Sequence, residues 1–569
     1  MILTLLTFLP LIGAALIALI PDSRVREIKA VAIVAAVATL IAAIAMAVRF
    51  HPSNYHFQLL ENVPWIPSLG ITYLMGVDGI SLGMVLLTAV LGVVAVAYSL
   101  YETRKVKLFM LLLLVLETSM LGTFLALDLI LFYAFFELAL FPLAILTLVW
   151  GGENRTKAAM RVFLYLFGGS ILMLVGMVWM AHQNQVSNGI FTFNLLEIQN
   201  TVSEGRFWTG AIQAEPYVFW AFAIAFLIKS PAFPFHTWLI DSYTEAPIGA
   251  VLLGVLVKTG TYGLIRFNLT LFPQALPQAA PTILALAVIG ILYGGIVAAV
   301  QNDLRRLIAY SSVAHIGFIL LGIFSLSHDG LVGGVLGQLN HGIATGALIL
   351  LVGFLILRKR STDVRQYGGL MAQMPVLATL FLLATVAAVG LPGTNAFVGE
   401  FLALLGMFES GLAQVGGLSL VFVVLAAAGV ILSAVYMLIG YKRIFHGPIV
   451  HGDLLRLKDL KPAEVALAGI LIAAIFVFGV QPALLTKSME PAAVATQEMG
   501  LNLPGMRPSW SDDDMRLDEK LNLTANRYGR RIVLARAEDA LHPDFGLKPP
   551  KPRPTAPRTT RAASVGASE

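Results

Sequence analysis

The chain has 569 residues, of which 58% are apolar and 12% charged, with a mean hydropathy of +0.82 and no cysteine. Soluble domains carry roughly 25% charged residues, so this composition excludes an ordinary soluble protein and predicts a polytopic membrane protein. Absence of cysteine excludes disulfides, thiolate-held iron–sulfur clusters and thiol chemistry in this chain, and a net charge of +5 on a membrane protein reports orientation before it reports nucleic acid.

Apolar runs fall near 1–20, 30–50, 78–100, 108–127, 129–150, 158–181, 217–238, 246–268, 281–300, 307–325, 330–357, 374–404, 415–441 and 463–482. At about 20 residues per crossing they predict an all-α fold of fourteen transmembrane helices, with Asp128 as a tight boundary between helices four and five. The first run lacks a basic leader and a small-residue cleavage site, so it reads as the first helix of the series rather than a removed signal peptide.

Charge alternates along that series. Connections after odd-numbered helices carry Arg24, Arg26 and Lys29, then Arg104, Lys105 and Lys107, then Arg155, Lys157 and Arg161. Later ones carry Arg305 and Arg306, then Arg358 to Arg365, then Lys442 to Lys461; even-numbered connections are nearly free of Lys and Arg, apart from Arg206 and Arg266. The basic connections are expected in the cytoplasm and both termini on the opposite side.

Two helices are interrupted, helix seven around KSPAFPF and helix twelve around GLPG (Gly390–Gly393), five helices apart. Paired broken helices predict two inverted five-helix repeats with the transport site between them. The expected division is three helices in 1–107, repeats in 108–268 and 281–443, a last helix in 463–482, and a polar, largely disordered tail in 483–569. Residues 518–540 have the pattern of a short amphipathic helix against a neighbour or lipid, and the last thirty residues lack any apolar face.

Ionisable groups inside apolar runs are costly and mark function by default. Glu137 lies mid-way along helix five, and Lys229 and Lys258 lie inside helices seven and eight with Pro231, Pro234 and Pro247 between them. A carboxylate beside Lys229 would keep both groups ionised, and separating the pair would release the lysine proton. Lys258 is placed to take it, through water or through His236. His315 and His341, among Tyr310, Ser311, Ser312, Gln338 and Asn340, suit a relay, and Glu400, just past the helix-twelve break, is expected to end the series.

Glu117 is a further intramembrane acid, expected near an inlet or at an interface with a neighbouring chain. Asp78 is equally suited to capping helix three or to conduction. Two histidines without clustered carboxylates make a poor metal site, and the short glycine pairs at 151 and 368 lack the strand–loop–helix context of a nucleotide loop.

The stretches GVDGISL, FFELALFPL, WGGENR, KSPAFPFHTWLIDSYTEAP, LGVLVKTGTYG, NDLRRLIAYSSVAHIGF, NHGIATGAL and LPGTNAFVGEF, together with the helix count, carry a family resemblance over roughly 1–482. The chain resembles the antiporter-like subunits of the membrane arm of respiratory complex I, the proton-pumping NADH-quinone oxidoreductase, in its M-chain branch. These are related to the large subunits of multisubunit sodium/proton antiporters.

The resemblance implies that Glu137 and Lys229 are the family's ion pair, Lys258 its relay lysine, His315 and His341 part of its central polar axis, and Glu400 its terminal group. Glutamate at that last position is the M-chain pattern, where the L-like and N-like chains carry lysine. It further implies a bacterial cytoplasmic membrane, contacts with L-like and N-like neighbours and lipid, and no nucleic acid. NADH, FMN, iron–sulfur clusters and quinone would sit in partner subunits, with no cofactor here. The alternative is a subunit of a multisubunit cation/proton antiporter. NAF in place of a small-residue pattern before Phe397 is expected to be a harmless packing change, and the tail is longer than the resemblance explains.

Overall fold

The computed structural model describes residues 1–254, 258–410 and 418–501. The expected 518–540 helix and the disordered last thirty residues lie outside the described residues. Among those described, thirteen spans are long and apolar enough to cross a membrane, and one shorter apolar helix, Pro375–Val389, accompanies them.

The chain opens with α1 (Ile2–Leu19) and α2 (Val25–Arg49). A feature absent from the sequence reading follows: Gln58–Ile66 (β1) and Ile71–Val77 (β2) pair as an antiparallel hairpin. Gly70 closes its turn at φ +65°, where a Cβ would stand 2.4 Å from the Phe191 carbonyl oxygen, so the position requires glycine. Glu61 of β1 accepts hydrogen bonds from the Leu3 and Thr4 amides at 2.8 and 3.0 Å, fastening the exposed start of α1.

Next come α3 (Gly79–Ser99), α4 (Val106–Leu125), α5 (Leu129–Leu138), α6 (Leu140–Trp150) and α7 (Arg155–Asn188). Asp128 does divide helices four and five: one carboxylate oxygen caps α5 through the Ile130 and Leu131 amides, and the other takes Thr72 of β2. Burial pushes its carboxyl up to about 6, against the lowering effect of those bonds. The run predicted as helix five is two segments, α5 and α6, meeting at Ala139.

A short, almost wholly buried helix, α8 (Leu195–Ser203), precedes α9 (Glu215–Lys229), α10 (Thr237–Glu245), α11 (Ile248–Gly254) and α12 (Lys258–Gly263). A wide turn at Leu264–Asn268 then joins α12 to α13 (Leu269–Leu271). The remainder is α14 (Ala275–Ala299), α15 (Leu304–Phe324), α16 (His328–Lys359), α17 (Pro375–Val389), α18 (Asn395–Glu409), α19 (Leu418–Phe445) and α20 (Pro462–Val480).

Polar character returns after 483, but the expected disordered tail does not begin there. Ala483–Leu501 forms α21. Met489, Ala492, Ala493 and Thr496 recur at helical spacing and are buried against the bundle, and Gln497 donates to the Leu326 carbonyl at 3.1 Å. Tertiary burial of one narrow face decides what average polarity hides.

α15 and α16 are almost wholly enclosed, whereas α1, α2, α7, α19 and α20 present many apolar side chains outward. Lipid or neighbouring helices would meet those faces. The two enclosed helices carry His315 and His341.

Candidate functional site: a buried polar axis

Helix breaks create the site. α9 stops at Lys229, and α10 resumes only at Thr237. The interruption frees the Ile228 carbonyl, which the Trp238 indole fills at 2.8 Å, while the Ser230 hydroxyl donates to Phe226. A break at membrane depth needs such internal replacement bonds. Gly260 of α12 presses on this corner: a Cβ there would lie 2.3 Å from the Ser230 hydroxyl oxygen.

Lys229, at the tip of α9, donates to the Phe136 carbonyl at 3.0 Å and sits 4.1 Å above the Phe136 ring. That carbonyl is at the α5–α6 junction, one residue before Glu137. The expected direct contact between Glu137 and Lys229 is not formed within ion-pair distance, because the ammonium is taken up by this carbonyl and ring. The two groups still interact electrostatically, and the Glu137 carboxyl faces Ser170 of α7. Ser170 itself donates to Phe167.

Lys258 is fully buried at the start of α12, one turn below the Thr261 hydroxyl, which donates to Gln338 of α16 at 2.9 Å. His341 follows Gln338 on α16 and lies within the electrostatic reach of both Lys258 and His315. The two imidazoles are 5.5 Å apart between centroids. His315 Nδ1 then meets Glu400 at 2.9 Å. Lys258, His341, His315 and Glu400, expected from four separate helices, are therefore assembled in that order.

Glu400 owes its position to the second break. α17 ends on Gly390 at φ +77°, and α18 restarts at Asn395. Its other carboxylate oxygen covers Gly390, where a Cβ would be 2.8 Å away. Beside it lies a small cavity walled by His315, Asn340, His341, Thr345, Gly399 and Glu400 among apolar groups. Both His341 nitrogens and His315 Nε2 lack a protein partner, so the cavity offers the several polar contacts that an ordered water needs.

His236, at the start of α10, is buried between Phe233, Tyr293 and Tyr310, with ring centroids 5.8, 5.1 and 6.2 Å away. Glu117 departs from expectation. It is fully buried against Gly92 of α3, with neither carboxylate oxygen hydrogen-bonded by protein, so it faces the interior of this chain rather than a neighbour.

Sequence reasoning missed three groups. Arg266, read as a connection charge, is buried and pairs with Asp78 at 2.8 Å; Asp78 meanwhile caps α3 through Ser81. Arg305, read the same way, is buried and donates to the Ala246 carbonyl. Asn395, passed over within NAF, accepts the Asn340 side chain on its carbonyl at 2.7 Å. An arginine four residues after Tyr262 on one helix face was the available signal for the first. Among the described residues, no three His, Cys, Asp or Glu side chains cluster as metal ligands.

Comparisons with known proteins agree with this architecture. Residues 126–428 match the family described as NADH:quinone oxidoreductase/Mrp antiporter, TM. The chain is 39% identical over 500 residues to NADH-quinone oxidoreductase subunit M of Rhodobacter capsulatus, covering 86% of this chain and 95% of that one. A chain in the structure of respiratory complex I from Thermus thermophilus with bound NADH superposes with TM-score 0.76 at 32% identity, covering 88% of this chain and 99% of that one.

A chain of the Mrp complex from Dietzia sp. DQ12-45-1b shares the fold alone, with TM-score 0.75 at 20% identity over 89% of this chain and 54% of that one. With the broken helices, the buried Lys–His–Glu axis and these matches in place, the chain belongs to the NADH:quinone oxidoreductase/Mrp antiporter family of multi-pass membrane subunits.

Proposed function

We propose that this chain is the proton-translocating, non-redox membrane subunit of an NADH-quinone oxidoreductase, in which Glu137, Lys229, Lys258, His341, His315 and Glu400 pass protons in that order. The observation that carries it is the Lys229 ammonium, held by the Phe136 carbonyl beside Glu137 rather than by Glu137 itself. A lysine with two places to rest within one residue of each other can be biased by protonation of the carboxylate. A shift of two pKa units is about 2.7 kcal/mol, comparable with the 2.3 kcal/mol needed to move one charge through 100 mV. His236 and Glu117 serve as secondary groups.

In this reading the two breaks mark two inverted five-helix repeats, and Pro375–Val389 with α18 is helix twelve, which brings the membrane helices to fourteen. The chain lies in a bacterial inner membrane between L-like and N-like neighbours, with both termini on the periplasmic side. NADH, FMN, iron–sulfur clusters and quinone belong to partner subunits. The Dietzia likeness keeps a cation/proton antiporter subunit as the second reading. Co-purification with flavin and iron–sulfur proteins favours the first.

The test is the assembled complex carrying Glu137→Gln, assayed for NADH:quinone activity and proton uptake together. Loss of both with assembly intact supports the pump and its Glu137–Lys229 control point. Wild-type rates of both would remove that pair from the mechanism.

A further inference from the structure

Lys258, Tyr262 and Arg266 fall at i, i+4 and i+8 on one face of the eighth span, so they stack toward the end of that span away from the Lys- and Arg-rich connections. Arg266 Nε donates to the Tyr262 hydroxyl at 3.1 Å, and that hydroxyl donates to the Phe124 carbonyl at 3.0 Å. Arg266 then pairs with Asp78, both side chains being 3% exposed. A buried ion pair is weak evidence of stability, and capping of α3 needs only one of Asp78's oxygens. Asp78 and Arg266 also line a separate cavity.

That cavity is bounded by Asp78, Arg266, His56, Gln199, Asn200 and Thr496, among others. Its walls come from the segment preceding β1, from α8 and from α21, which are all connections or ends on the face that carries few basic residues. Lys258 therefore has polar groups leading along its own helix to a chamber at that face, mostly apolar in its lining but carrying Asp78, Arg266, Gln199 and Asn200, independent of the path toward Glu400.

We infer that Asp78 is a proton-release site for Lys258, and that the chamber under α21 is its outlet. This rests on the proton-path reading above. In the step, Lys258 as ammonium loses a proton to intervening water while the Asp78 carboxylate gains one from the same water chain. The Tyr262 hydroxyl acts as a donor and acceptor along it. Lys258 becomes a neutral amine and Asp78 a neutral acid; Asp78 then yields its proton to water in the chamber and recovers its pair with Arg266, which stays a cation throughout.

The chain lacks cysteine, so Ser203→Cys and Ala495→Cys in the assembled complex each place one thiol on this subunit, at the chamber wall. A charged, membrane-impermeant thiol reagent applied from the face bearing few basic connections is expected to label both and to slow proton release. Labelling only from the opposite face, or full labelling with unchanged release, overturns the outlet.

Tyr262→Phe and the paired Asp78→Asn/Arg266→Gln, which avoids a lone buried charge, are expected to slow proton release by about tenfold or more, a modest loss for a positioned relay. Lys258→Met is measured alongside. If it abolishes pumping while Tyr262→Phe and the paired variant pump normally, the outlet fails and the path reading stands. If Lys258→Met also pumps normally, the path reading itself fails.

Discussion

Glu400 shows how much one side chain can depend on a neighbour's missing Cβ. Its carboxylate bridges His315 and the space above Gly390, so its hydrogen bond and its room come from different residues. Glu400→Gln keeps an acceptor for His315 and removes the ionisable group. It is expected to leave assembly intact and slow proton translocation on the order of tenfold or more, measured as quinone-coupled pumping in reconstituted vesicles. Glu117 makes the converse case. Gly92→Ala would drive a Cβ to 2.2 Å from its carboxylate oxygen, and the carboxyl has no protein partner to turn to. Reduced amounts of assembled complex are expected on native gels. The acids and lysines were legible in the sequence because charge in an apolar run is conspicuous. That Lys229 bonds the Phe136 carbonyl rather than Glu137 was not, since it depends on which group at the α5–α6 junction faces the ammonium.

Among elements, the broken helices were the most readable, because proline and glycine act locally. Gly390→Ala puts an ordinary residue at φ +77° and against Glu400 at once. A cost of about 1–3 kcal/mol is expected for the backbone alone, read as a lower melting temperature of the purified complex. Asp78 and Arg266 were individually visible but not as partners, because only the packing of the eighth span against α3 joins them. Arg266→Met should destabilise by about 3–5 kcal/mol, as removal of one member of a buried pair does, and neutralising both should recover much of that loss. α8 carries a pH dependence. Burial pushes the Glu197 carboxyl up to about 7, so the docked helix pays no electrostatic penalty below the ordinary carboxylate range. The penalty grows as pH rises toward 7 and is complete above it. Hydrogen exchange of Leu195–Ser203, corrected for intrinsic rate, is expected to show less protection at pH 8 than at pH 5, and Glu197→Gln should abolish the difference.

For the molecule as a whole, hydropathy and charge alternation foretold a multi-pass membrane protein, and thirteen described spans bear out that coarser statement. They did not foretell the hairpin or α21. Both are short amphipathic pieces whose order comes from what they lie against, Glu61 on the start of α1 in one case and Met489 and Thr496 in the bundle in the other. The proposed orientation is open to direct measurement in the cysteine-free chain. Gln366→Cys, exposed after α16, is expected to react with an impermeant reagent only from the cytoplasm, and Ser53→Cys, exposed before β1, only from the periplasm.

The vertical stacking of Lys258, Tyr262 and Arg266 has an electrical meaning as well. Eight residues of helix at 1.5 Å each span about 12 Å, some two-fifths of a hydrocarbon layer about 30 Å thick. A charge transferred between Lys258 and Asp78 would traverse that share of the transmembrane voltage, about 0.9 kcal/mol per 100 mV. Transfers running parallel to the membrane plane would traverse almost none. The dependence of turnover on proton-motive force should then be concentrated in the legs that enter and leave the axis, so that an imposed potential slows release from Lys258 far more than passage between His341 and Glu400.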